Sequence, residues 1–142
     1  MIGAILTLVA AQAAVASVPA AERPMVVIEE RATIRREPPP HGAIGMSTAY
    51  RISDGVDGRT MEFRKRILHR GAAIGVHRID HDEVYYVLSG TGEVTSGGER
   101  RTLTPGMTAY LYSGATVGIR QTGGKSLSLI ISYPLAKPVA AK

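Results

Sequence analysis

In the stretch HRIDHDEVYYVLSG, residues 77–90, His77, His81 and Glu83 are separated only by Arg, Ile and Asp. Imidazole and carboxylate at this spacing support two kinds of chemistry. They can hold a divalent first-row metal through nitrogen and oxygen, or pass a proton between a base and the group that orients it. Strand alternation puts Ala73, Gly75, His77 and Ile79 on one face of a first strand, with Ile74 and Val76 opposite; on the next strand Glu83, Tyr85 and Val87 share a face. Asp80-His81-Asp82 reads as the turn between them, because Asp closes turns through its own side chain. A His and a Glu flanking such a turn on antiparallel neighbours can approach one another. His77 is therefore the candidate general base and Glu83 its partner, while His77, His81 and Glu83 together form a candidate three-donor metal set. His81, as a turn residue, is expected at the rim.

Composition narrows the chemistry. The 142 residues contain no cysteine, which excludes disulfides, thiolate metal sites and a Cys nucleophile. The formal charge of +5 raises the question of nucleic acid. Arg35-Arg36, Arg64-Lys65-Arg66 and Arg100-Arg101 are short and scattered, however, and with no Trp and one Phe there is little surface for base stacking. These runs are expected on solvated outer faces of strands, and nucleic acid is not an expected partner. Residues 1–21, MIGAILTLVAAQAAVASVPAA, carry no charged side chain and offer small residues at 14–16 and 18–20, the pattern of a cleavable export signal without its usual basic start. The expected destination is periplasmic or secreted, with no stable membrane span after signal removal.

Beyond residue 22 no long helical period occurs, and turn pairs recur at short intervals: Asp54-Gly55, Asp57-Gly58, Gly97-Gly98, Pro105-Gly106, Ser113-Gly114 and Gly123-Gly124. The layout predicts an all-β domain over 46–135. Its strands are expected at 48–52, 60–68, 73–79, 83–88, 92–95, 101–103, 107–112, 116–121 and 126–133. Residues 22–45 read as an arm with one strand at 25–30, broken from the domain by Glu37-Pro38-Pro39-Pro40-His41-Gly42, and 136–142 as a loose tail. Apolar residues on both faces of 73–79 and 83–88 predict cover on both sides.

Gly71, His77, Ile79, Glu83 and Gly90 fall at the spacing of the first cupin motif, G-x5-H-x-H-x3,4-E-x6-G, with isoleucine at the second histidine position. Gly106, Tyr112, Gly114, Val117 and Gln121 match the second, G-x5-P-x-G-x2-H-x3-N, with Tyr, Val and Gln at its Pro, His and Asn positions. Over residues 46–133 the chain thus resembles a single-domain cupin. That resemblance implies a jelly-roll β-barrel, also called a double-stranded β-helix, and a homodimer. In cupins with intact motifs the four ligand positions hold a divalent metal inside the barrel; this chain keeps His77 and Glu83 and has Ile79 and Val117 at the other two. A metal, if His81 supplies the third donor, would be Mn, Fe, Ni, Cu or Zn.

Three functions follow from these residues. The first is a small-molecule binder for a sugar, organic acid or aromatic, with Ile79, Tyr85, Tyr112 and Val117 as walls and Gln121 among the polar anchors. The second is an enzyme, either a metal-dependent dioxygenase, isomerase or decarboxylase, or a metal-free isomerase or epimerase in which His77 and Glu83 move the proton. The third is a dimeric structural module.

Overall fold

The computed structural model describes residues 21–140. Ten strands form two antiparallel sheets: β1 Ile34–Glu37, β2 Ser47–Tyr50, β3 Met61–Leu68, β4 Ala73–Arg78, β5 Glu83–Ser89, β6 Thr91–Ser96, β7 Glu99–Leu103, β8 Thr108–Leu111, β9 Thr116–Thr122 and β10 Leu127–Pro134. The six-stranded sheet runs β1-β2-β3-β10-β5-β8 and the four-stranded sheet β4-β9-β6-β7. The expected all-β architecture is present, and nine strands lie within a few residues of their predicted spans. The barrel is not closed: the larger sheet ends at β1 and β8 and the smaller at β4 and β7, and no ladder joins β7 to β8. The export signal expected at residues 1–21 lies, all but its last residue, outside the described residues.

The arm differs from expectation. Residues 25–30 form no strand; a 3₁₀ turn at Glu30–Thr33 leads instead into β1, which pairs with β2. Val26 and Val27 are exposed and find no facing apolar surface, so the apolar run Met25-Val26-Val27 was a misleading strand signal. The tail is held as well: Val139 donates its N–H to the Arg59 carbonyl and accepts from Gly58 N–H at 2.8 Å.

Leu127, Leu129 and Ile131 of β10, Tyr85 and Val87 of β5 and Leu111 of β8 face Ile74, Val94, Leu103, Val117 and Ile119 of the smaller sheet to make one core. Removing these side chains from water is the main favourable term for a sandwich of this kind. Gly90 closes the β5–β6 turn at φ 77, where a Cβ would fall 2.1 Å from the Ser126 carbonyl oxygen. Only glycine fits there.

β3 runs against the hydrophobic rule. Ladder partners share a face, so Glu62, Arg64, Arg66 and Leu68 point inward opposite Tyr133, Ile131, Leu129 and Leu127. The Arg64-Lys65-Arg66 run is therefore not a solvated outer face. Lys65 alone points out, 4.0 Å above the Tyr50 ring and paired with Glu30. Glu62 is 3% exposed and accepts from Arg59 Nε at 3.0 Å, Arg64 Nε at 3.0 Å and Ser53 Oγ at 2.8 Å. Glu37 of β1 likewise accepts from Arg51 Nη2 at 2.9 Å and Arg66 Nη2 at 3.1 Å. Burial alone would raise both carboxyls, but these donors hold them below the ordinary carboxylate range. The cover expected on both faces is also incomplete: Val76, Tyr86 and Leu88 are exposed on the outer surfaces.

Replacing Glu62 with Gln leaves Arg59 and Arg64 only the part-exposed Asp54 as an anion, and breaking a buried pair typically costs about 3–5 kcal/mol. A carboxyl whose pKa is lowered on folding contributes stability above its ordinary range and loses it as pH falls through the lowered value. Urea unfolding at neutral pH should show the full loss and acid conditions a smaller one; a loss below about 1 kcal/mol at neutral pH would mean that the pairs hold little.

Candidate functional site

Glu83 enters the interior from the first position of β5 and is 6% exposed. Its neighbour is His81, whose Nε2 lies 3.3 Å from Glu83 Oε2 and whose Nδ1 lies 3.0 Å from Asp80 Oδ1. The His81 ring stacks on Tyr133 of β10 at 4.4 Å. His81, expected on the rim, is thus half-buried, one wall of a cavity of about 300 Å³ shared with Asp80, Ser113 and Leu135. Burial pushes the Glu83 carboxyl above its ordinary range despite the opposing influence of His81, His77 and Arg64. Burial, then the charge of Glu83, raises the Tyr85 phenol. A buried carboxyl 3.3 Å from an imidazole nitrogen is placed to exchange a proton with it.

His77 is elsewhere. Its Nδ1 donates to the Gly75 carbonyl at 2.8 Å, and its ring lies on that of His41 at 3.5 Å with the planes 5° apart. The expected His77–Glu83 hydrogen bond is not formed. β4 also carries a bulge: Ile74 pairs with Ile119 and His77 with Val117, so three steps on one strand match two on the other. Ile74 and His77 therefore share the inner face, which strict alternation forbids. Gly75 permits the bulge, since a Cβ there would fall 1.7 Å from the His41 carbonyl oxygen. His41 was missed because it sits in a Pro-rich breaker; its φ of 62 places it in the left-handed region, against β4. Burial, then the neighbouring His77, lowers the His41 pKa.

These placements decide the metal question for the donors present. Among the described residues no three His, Asp or Glu side chains gather as a metal-holding group, so His77, His81 and Glu83 do not assemble. His77 is taken up by His41 and the bulge, and the other two motif positions are Ile79 and Val117, 3% and 0% exposed. The residues do not fit the ion that intact motifs hold.

The expected ligand residues divide in two. Ile79, Tyr85 and Val117 are buried in the core. Gln121 is a staple: its Oε1 accepts from Gly71 N–H at 2.9 Å, and its Nε2 donates to the carbonyls of Thr122, Gly123 and Lys125 at 2.9, 3.0 and 2.6 Å. That pairing ties the first residue of one motif to the last of the other. Tyr112, 70% exposed, stands instead at the rim of a cavity of about 640 Å³ between β7 and β8. Core residues Val94, Leu103 and Leu111 reach into its lining, with Ala109 and Ala115 beside them, and Arg101 lines its β7 side. Arg101 was passed over as part of a surface pair, yet it stands opposite Val94 in the β6–β7 ladder and so takes the inner face at an open edge.

The family model described as cupin domain matches residues 64–133. No curated protein matches the sequence. Among solved structures, the chain is similar to a predicted oxalate decarboxylase from Thermotoga maritima, with TM-score 0.69 and 22% identity over 78% of this chain and 99% of the other. It is similar also to an RmlC-like cupin from Shewanella frigidimarina, with TM-score 0.62 and 20% identity over 79% and 93%, and to KdgF from Halomonas sp., with TM-score 0.54 and 24% identity over 62% and 78%. At these identities the likeness is one of fold.

Because folding raises the Glu83 pKa, this carboxyl favours folding at low pH and loses that contribution as pH rises through the folded value. Glu83→Gln, which removes the titration, should gain stability relative to the parent as pH climbs from the ordinary carboxylate range toward neutrality. Thermal unfolding across that span measures it, and a pH-independent difference would show that folding leaves the Glu83 carboxyl at its ordinary pKa.

Proposed function

This chain belongs to the cupin superfamily, and on that premise we propose that it binds a small organic acid with an apolar or aromatic body in the opening between β7 and β8. The observation that carries this reading is the composition of that opening, whose inner wall is core Val94, Leu103 and Leu111 and whose edge holds Arg101, loosely paired with exposed Glu99 at 3.7 Å. Apolar walls with a few oriented polar groups are the usual form of a small-molecule site. A guanidinium at the mouth is matched to a carboxylate, and Tyr110 and Tyr112 add aromatic surface at the rim, their rings 5.1 Å apart. Ser96, Thr102 and Thr108 also line the opening, but its core wall is aliphatic, which suits an apolar body better than a sugar. The Tyr110 hydroxyl is already committed, donating to Asp82 at 2.6 Å.

Export by residues 1–21 and a homodimer through the outer face of the six-stranded sheet complete the proposal. Phe63, Tyr86 and Leu88 are exposed on that face, and a second copy would cover them.

A second reading, metal-free proton transfer next to a carbonyl, rests on the His81–Glu83 pair, with His81 taking the role that the first motif suggests for His77. The Tyr133 ring against His81 and the small cavity beside it would hold the substrate.

Calorimetric titration with a hexose, a dicarboxylic acid and phenylacetate separates these possibilities. Phenylacetate should bind, Ala109→Trp should weaken it at least tenfold by filling the opening, and Arg101→Gln should weaken it several-fold. Binding that ignores both substitutions would sink the site, and turnover lost only in His81→Ala would move the function to the His81–Glu83 pair. Sedimentation should show a dimer that Tyr86→Glu dissociates.

A further inference from the structure

The opposite end of the six-stranded sheet holds a second kind of site, independent of the opening between β7 and β8. Arg51, Arg59, Arg64 and Arg66 interlock with Glu37, Asp54 and Glu62, and Arg35 joins them along a cavity of about 440 Å³. Arg35, Arg51, Glu37 and Asp54 line the cavity itself, and over the whole network five guanidiniums meet three carboxylates, a surplus of two positive charges.

Hydrogen bonding shows the same excess. Both oxygens of Glu37 and both of Glu62 accept from guanidinium groups or Ser53, and Asp54 Oδ1 accepts from Arg64 at 3.2 Å. On the donor side, Arg51 Nε is buried without an acceptor, the one such side-chain atom among the described residues. Arg35 reaches only its neighbour's carbonyl, Ile34 O, at 2.8 Å. Burial, with the crowding of Arg51 and Arg64, also holds the Arg66 pKa down in spite of Glu37. The buried Arg51 Nε is the costly part of this excess, since a buried donor without an acceptor loses its hydration unrepaid, whereas Arg35 is exposed.

We propose that the cavity between Arg35 and Arg51 binds a small dianionic oxyanion of the phosphate type. Alternation along β1 places Arg35 on the same inner face as Glu37, and Arg51 lies across the cavity from it, with Thr33 and Asp54 among the other walls. Glu37 and Asp54 carry negative charge here, but each already faces guanidinium partners, so the net field remains positive. Planar guanidinium groups suit tetrahedral oxyanions as well as carboxylates, and two surplus charges favour a dianion over a monoanion.

The test is calorimetric titration of the full chain with inorganic phosphate at slightly alkaline pH and low ionic strength, where screening is weak. Saturable binding at one equivalent is expected, with sulfate comparable and acetate at least tenfold weaker. Arg35→Gln removes an exposed guanidinium that pairs with no carboxylate, so the fold survives; phosphate affinity should fall at least tenfold, and Arg51→Gln should repeat the loss. Phosphate heats matched by chloride at equal ionic strength, or an Arg35→Gln protein that binds like the parent, would overturn the site and leave the arginines as a structural network only.

Discussion

The fold depends on satisfying a carboxylate that a β-sandwich interior would ordinarily reject. Glu62 sits on the inner face of β3, within hydrogen-bonding reach of Arg59, Arg64 and Ser53. An unpaired charge there would cost several kcal/mol after relaxation. Its partners come from one continuous stretch of chain: Ser53 from the 3₁₀ turn Ile52–Gly55, Arg59 from the loop before β3, and Arg64 from β3 itself. Pairing Glu62 therefore seats that 3₁₀ turn over the sheet. The tail then settles on the same loop through Val139 and Gly58.

This arrangement splits the inner face of the large sheet. On the β1–β3 side the inward residues are Arg35, Glu37, Ser47, Arg66, Arg64 and Glu62; on the β10, β5 and β8 side they are chiefly aliphatic and aromatic. The smaller sheet contributes Ile74, Val94, Leu103, Val117 and Ile119 to the apolar core. With its two sheets joined at neither β7 nor β8, the molecule has two approaches to its interior, one greasy with a single guanidinium at the edge and one almost wholly ionic. A closed barrel with a uniform lining would have neither contrast.

Much of the architecture was legible because turn chemistry is local. Gly90 and the glycine pairs that end the strands mark their boundaries whatever the tertiary context. Facing was harder, since it depends on unbroken alternation. One extra residue at Gly75–Val76 put His77 and Ile74 on the same face, and the histidine ring stacks on His41 without bonding Glu83. The same limit applied to β3, where inward arginines look like a surface run until Glu62 is seen to hold them. His81 was undervalued for a related reason: a turn residue can point inward when an acceptor such as Glu83 waits there and an aromatic ring such as Tyr133 supports it. Met25–Glu30 failed in the other direction, for apolar β-formers make no strand without an edge to pair with.

The isoleucine and valine at two ligand positions change more than a donor count. A metal inside a barrel needs a polar, partly hydrated space around it, whereas Ile79 and Val117 are packed into the core, 3% and 0% exposed. Once that space is filled by aliphatic groups, the glutamate left at its edge must find another partner or keep its proton. Glu83 does both, lying against His81 with its carboxyl pushed upward by burial. Chemistry that intact motifs concentrate at the centre is thereby displaced toward the openings: the His81–Glu83 pair beside the Asp80–Asp82 turn, an apolar cleft at β7 and β8, and a guanidinium-rich cavity at β1. Gln121 marks the same shift, because its amide ties Gly71 to the 122–125 turn and serves the backbone of the fold. What the two motifs preserve in this chain is the geometry of their turns, and function must be sought where those turns leave the two sheets apart.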